Sequence, residues 1–469
     1  MPARDSDNAP EIRINAFDMN CLGHLSGALW THPRDTSLGY KTLEHWMELA
    51  KLLESGLFDA LFLADVLGLY DVYRGGPETA LRYGTQVPNN DPLLIIPAMA
   101  AVTRHLCFAA TAILSFEPPY TFARRLSTLD HLTGGRIGWN IVTGYLDSAA
   151  RGAGQARQTA HDTRYEVAHD YMEVVYKLWE GSWDDDAVVA DRAGATYADP
   201  RRVRAVHHDG PHYKLDAVHL SEPSPQRTPL LFQAGTSEKG RAFAARHAEA
   251  VFINGRSKAT VASHIADIRR RAAALGRDQA DVKAFVELHV VVAKTEQAAR
   301  AKLEDYRRHA SLEASLALQS GWTGIDFDRY GLDEPLRYVE NDAIRSGLEA
   351  LTRTNPEKRT WTPRQLADAG LAGGSTTTLV GTPETIADLL QEWQRDTGAD
   401  GFNLSHALRY ESFVDFIELV VPELQRRGVY KRGYGEGTFR EKIYGRGRRR
   451  LQHPHPAASF RHDRAVVVA

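Results

Sequence analysis

Polar residues recur where short apolar runs end along this chain: Asn20 and Cys21, Asp65, Thr111, Asn140 and Thr143, Ser237, Asn254 and His406. Taken singly, each is most simply a helix cap or a satisfied core hydrogen bond. They come from at least six separate segments, however, and a closed barrel is what brings so many strand ends to one mouth. Gly235-Thr236-Ser237 follows an apolar strand and opens a helix. The free N–H groups and dipole of such a helix start suit a phosphate, and Ser237 adds a hydroxyl. His161 and Tyr165, four apart, share one helix face. No G-x-G-x-x-G follows a strand and no P-loop is present, so the chain carries no evident dinucleotide-binding domain of its own. His207, His208, His212 and His219 invite a zinc reading. Pro211 interrupts the one helical spacing among them, and no metal is expected.

The elements that must position these groups alternate. Apolar strands are expected at Ile12–Met19, Asp59–Asp65, Leu106–Ala112, Arg136–Val142, Pro229–Ala234, Ala250–Ile253, Lys283–Ala293 and Asp400–Leu404. Amphipathic helices lie between them, among them Leu43–Leu53, His161–Trp179 and Pro383–Trp393, the last capped by Thr382 with proline in its first turn. Eight strands alternating with helices give an α/β fold, a (β/α)8 TIM barrel over residues 1–444. Two stretches do not fit tight connections and are read as insertions: about 184–222, as short strands and turns, and about 311–377, as helices over the mouth. Residues 445–469 have no core pattern and are expected to form a flexible tail.

Composition narrows the class. With 43% apolar residues among 469, a large core is available, and a net charge of −3 with signs interspersed speaks against a nucleic-acid surface. Apolar runs are too short to span a bilayer, the N-terminus lacks a signal-peptide core, and two cysteines make no disulfide framework. A cytoplasmic location is expected on those grounds.

The run Ser127-Thr128-Leu129-Asp130-His131-Leu132-Thr133-Gly134-Gly135-Arg136, followed by Trp139-Asn140-Ile141-Val142-Thr143, resembles the flavin-dependent monooxygenases of the bacterial-luciferase superfamily. More narrowly it is similar to the branch of nitrilotriacetate, dibenzothiophene-sulfone and long-chain alkane monooxygenases. The resemblance implies FMN, supplied reduced by a separate NAD(P)H:flavin reductase, with O2 as co-substrate and a C(4a)-hydroperoxide as oxidant. It places Asp65, Thr111, Asn140, His161, Tyr165 and Ser237 at the cofactor, with Ser237 on its phosphate. Cys21, His24 and Tyr70 match positions implicated in the alkane branch, and Tyr145 stands where that branch has histidine. His24 is then the expected proton carrier, and Tyr145 a hydrogen-bond donor that stabilises an oxyanion or the peroxide. A small hydrophobic substrate and a homo-oligomer, dimer or tetramer, follow from the same resemblance. Rival readings are oxidative cleavage of a flavin side chain, as in a riboflavin lyase, a non-catalytic flavin-binding protein, and a deazaflavin-dependent dehydrogenase.

Overall fold

The computed structural model describes residues 11–255, 257–336, 361–371 and 377–462. Eight parallel strands close on themselves: β1 (Arg13–Met19), β2 (Ala60–Ala64), β3 (Cys107–Ile113), β4 (Ile137–Val142), β9 (Leu230–Gln233), β10 (Ala250–Ile253), β11 (Lys283–Val292) and β13 (Gly401–Ser405). The ring runs in that order, and β13 returns to β1 through the register Arg13↔Gly401 to Ala16↔Leu404. These are the eight strands expected from the sequence. Most are short and largely apolar because both faces are buried, one in the barrel and one under helices. Phe17, Phe62, Ala109, Phe232, Phe252 and Phe285 fill the interior.

Three further features surround the barrel. The first insertion forms two antiparallel hairpins, β5 (Val188–Asp191) with β6 (Thr196–Ala198), and β7 (Val206–Asp209) with β8 (Lys214–Ala217). Within the second, the described residues form helices Leu312–Thr323 and Pro363–Gly370, which pack on each other through Leu316, Ala317, Leu366 and Ala367. Residues 337–360 and 372–376 of that stretch lie outside the described residues. A ninth strand, β12 (Thr377–Gly381), pairs only with the far half of the long β11, outside the closed ring.

The amino end of the barrel is plugged. Phe439 and Ile443 of the Phe439–Tyr444 helix join the interior cluster, and buried Arg440 binds Glu249 through Nε at 2.6 Å and Nη2 at 2.9 Å. The chain that follows departs from the expected loose tail as far as residue 462. Leu451, Ala457 and Ala458 are buried, His455 Nε2 meets the His247 carbonyl at 2.9 Å, and Arg461 reaches Glu180 at 2.5 Å. A few apolar side chains and ion pairs from Arg448, Arg450 and Arg461 suffice to dock a segment this short, which is why no periodic pattern announced it. Residues 463–469 lie outside the described residues. No helix among the described residues is long and apolar enough to cross a membrane.

Candidate active site

With one end plugged, the barrel opens at its strand carboxyl ends into a cavity of about 390 Å³. The residues that follow β2, β4, β9 and β10 line it, as in other barrels of this architecture. Phe17, Ile113 and Phe252 form apolar walls, and Trp322 and Leu366, from the two insertion helices, form the roof.

One end of the cavity is built for an anion. The helices Glu238–His247 and His161–Tyr176 both start there, so two sets of free N–H groups and two positive dipole ends converge. Ser237 caps the first helix, accepting from Gly240 N at 3.1 Å, and its Oγ lies 3.3 Å from His161 Nε2. Tyr165 packs beside them, 5.3 Å from the His161 ring centroid. Gly235 keeps the backbone bare: a Cβ there would stand 2.5 Å from Gln233 Nε2 and 2.6 Å from Tyr165 Oη. Arg164, which the sequence reading missed, also lines this end, and only 3% of it is exposed to solvent. A cation in the first turn of a helix opposes the dipole, and that mismatch is the signal that could have found it.

The barrel interior below holds a second polar set. Asn140 donates through Nδ2 to Thr111 Oγ1 at 2.8 Å, and its Oδ1 is buried with no partner among the described residues. Both sit one pleat deeper than Ile113 and Val142, which line the cavity. Asp65, on the wall, accepts from Asn89 Nδ2 at 2.8 Å. Burial pushes its pKa up to about 6, against the hydrogen bond from Asn89, and nearby Asp91 adds to the rise.

The third region is a chain of hydroxyls. Tyr145 lines the cavity and its Oη lies 2.7 Å from that of Tyr70, which stands behind it, fully buried. Tyr70 donates to Gln86 Oε1 at 2.7 Å and accepts from Trp322 Nε1 at 3.2 Å. Burial raises both tyrosine pKa values, so neither ionises near neutrality. His24 lines the cavity edge-on to Phe17 at 4.5 Å, and burial depresses its pKa to about 3 despite the nearby Asp18 carboxylate. It is therefore neutral at pH 7, which suits a hydrogen-bond partner better than the proton carrier expected from the sequence. Cys21 does not reach the cavity. Its carbonyl accepts from Arg409 at 3.0 Å, the residue is wholly buried, and burial drives its thiol pKa up.

His406, at the end of β13, turns away as well. With Arg409 it holds the Asp18 carboxylate, His406 Nε2 at 3.0 Å and Arg409 Nε at 2.7 Å. The Arg409 guanidinium keeps Asp18 ionised in spite of burial. Three histidines of the first insertion pair through their rings with different residues: His208 with Asp170, His207 with Asp216, and His219 with Ser127. His212 gives its backbone N–H to the same Asp170 carboxylate.

The residues present fit a flavin mononucleotide. The bare backbone at Gly235, the capped helix start and Arg164 suit its phosphate. The unpartnered Asn140 Oδ1 offers an acceptor to a ring N–H, and the apolar walls suit an isoalloxazine.

Comparison with known proteins agrees. A family model described as luciferase-like monooxygenase matches residues 19–401. The chain is 48% identical to dimethyl-sulfide monooxygenase of Hyphomicrobium sulfonivorans, over 96% of this chain and 94% of the relative. It is 47% identical to long-chain alkane monooxygenase of Geobacillus thermodenitrificans, over 96% and 98%. The crystal structure of a riboflavin lyase with modified FMN and riboflavin superposes with a TM-score of 0.91 at 34% identity, covering 97% of this chain and all of that one. The chain belongs to the luciferase-like monooxygenase family and is a flavin-dependent monooxygenase.

Proposed function

We propose that this chain holds reduced FMN, delivered by a separate NAD(P)H:flavin reductase, and uses it with O2 to oxygenate a small, largely apolar molecule under the Trp322–Leu366 roof. The observation that carries this reading is the polarity of the cavity. Two helix starts and Arg164 give it an anion-binding part, and Phe17, Ile113, Phe252, Trp322 and Leu366 give it an apolar wall. Reduced flavin with O2 supplies one oxygen atom to the substrate while the second leaves as water.

The chain's own residues bind, orient and exclude water. Ser237, the N–H groups of its helix and Arg164 hold the phosphate, with His161 and Tyr165 buttressing Ser237. Asn140, fixed by Thr111, accepts from the ring through Oδ1. Asp65 faces the same space, with a proton affinity high enough to exchange a proton near pH 6. Phe17, Ile113, Phe252, Trp322 and Leu366 keep the chamber dry, which protects a reactive oxidant from solvent. Tyr70 acts through Tyr145 rather than on the substrate.

Purified protein supplied with FMN, a flavin reductase, NADH and 18O2 should transfer one labelled oxygen to an apolar acceptor, read by mass spectrometry. A panel of sulfides, alkanes and alcohols that includes riboflavin also covers side-chain cleavage. FMN binding without product from any member would leave a flavin-binding protein. Absence of FMN binding in either oxidation state would end the reading.

A further inference from the structure

The direction of every hydrogen bond in the Tyr145–Tyr70–Gln86 chain follows from one amide. Gln86 Nε2 lies 2.8 Å from the His24 carbonyl, and only a donor is stable there. Gln86 Oε1 therefore faces Tyr70, and the Tyr70 hydroxyl, 2.7 Å away, must give it its single proton. With that proton engaged, Tyr70 can only accept from its other neighbours. Trp322 Nε1–H supplies one of those bonds at 3.2 Å. The other comes from Tyr145, whose Oη is 2.7 Å away. The reverse arrangement would set Tyr70 and Gln86 lone pairs face to face in a buried site, at the full cost of an unsatisfied group.

The consequence falls on the cavity. Tyr145 sends its only proton toward Tyr70, so in the cavity it lines, its oxygen has only lone pairs to offer. The Trp322 and Gln86 N–H groups named above are taken up as well, by Tyr70 and the His24 carbonyl. This overturns the donor role that the residue type alone suggested for Tyr145.

We propose that Tyr145 is a specificity-determining acceptor, and that the substrate is an apolar body bearing an O–H, N–H or S–H donor that bonds to the Tyr145 oxygen. The proposal rests on the monooxygenase reading for the identity of the cavity and deepens it by naming the substrate class. A plain alkane or a dialkyl sulfide brings no such donor and leaves the cavity-side lone pair of Tyr145 desolvated, although its proton still bonds to Tyr70.

The test uses an isomeric pair, pentan-1-ol and butyl methyl ether, bound to the FMN-loaded protein and followed by calorimetry. The two share composition and differ in bearing a donor. In the wild type the alcohol should bind about tenfold more tightly, the worth of one buried hydrogen bond. Tyr145→Phe should bring the two within about twofold. Tyr70→Phe frees the Tyr145 proton to turn outward, so the ether should gain and the preference should shrink or invert. Equal affinities in the wild type, tighter ether binding, or no binding of either would overturn the proposal, as would an alcohol preference that survives Tyr145→Phe. Should a variant fail to fold, the wild-type comparison alone decides. The two readings fail separately. An alcohol preference with no oxygenation of any panel member leaves the acceptor and removes the monooxygenase assignment. Oxygenation of sulfides or alkanes with no alcohol preference does the opposite.

Discussion

Asp65→Asn should make the protein more stable at pH 8 and leave it unchanged near pH 4. The folded chain raises the Asp65 pKa from an ordinary carboxyl value of 3.8 to about 6, chiefly because its wall position desolvates the charge. A raised folded value means the folded state binds the proton more tightly than the unfolded chain. The stabilisation from the neutral form is therefore complete below pH 4 and is lost as pH rises through about 6. Above that, the ionised carboxylate costs a constant amount. At about 1.4 kcal/mol per pKa unit, the shift corresponds to about 3 kcal/mol. Asparagine keeps the shape and still accepts from Asn89 Nδ2, so the main change is removal of the charge. For a chain of this length that increment moves the unfolding midpoint by about 3 °C. The assay is thermal unfolding of both flavin-free proteins at half-unit steps from about pH 3.5 to about pH 8. The two curves should converge near pH 4, separate across pH 4–6 and run parallel above that. Curves parallel over the whole range, or a separation that grows toward acid, would refute the argument that burial sets this carboxyl.

Other changes test other parts of the architecture. Arg409→Met strands the Asp18 carboxylate in the core and should cost about 3–5 kcal/mol, whereas adding Asp18→Asn should recover a large part of that loss in urea unfolding. Gly321→Ala drives a methyl into the Tyr70 ring, so a loss of about 1–3 kcal/mol is expected in unfolding experiments, with disturbed near-ultraviolet dichroism from the roof. Gly235→Ala crowds Gln233 and Tyr165 at the anion end. Its FMN affinity should fall at least tenfold in a fluorescence titration while the fold persists.

The barrel was legible because its strands are buried on both faces and read as short apolar blocks. The ninth strand, β12, escaped because it pairs only with the outer half of β11. Thr377, Thr378 and Val380 stay half-buried and carry no clean pattern. The site was legible to the level of the strand end and no further. Asp65, Tyr145, His161, Tyr165 and Ser237 were expected at the mouth and line one cavity, and His24 joins them. Thr111 and Asn140 lie on the correct strands but a pleat deeper, because the sequence does not say how far a ligand descends. Tyr70 and Cys21 belong to buried packing that only the fold assigns. Proton direction at Tyr145 depends on Gln86, which is 59 residues away and carries no motif. The tail misled for the opposite reason: Leu451, Ala457 and Ala458 are too few for periodicity yet enough to dock.

The measurement closest to the central claim compares reduced FMN with reduced riboflavin, titrated anaerobically into wild type and Ser237→Ala. If the phosphate rests on the Gly235–Ser237 helix start beside Arg164, wild type should hold FMN about 10- to 100-fold more tightly, since charge-assisted hydrogen bonds are worth about 1.5–3 kcal/mol. Ser237→Ala should narrow that gap by weakening FMN alone. Equal affinity for the two flavins in the wild type would contradict the placement of the cofactor and everything built on it.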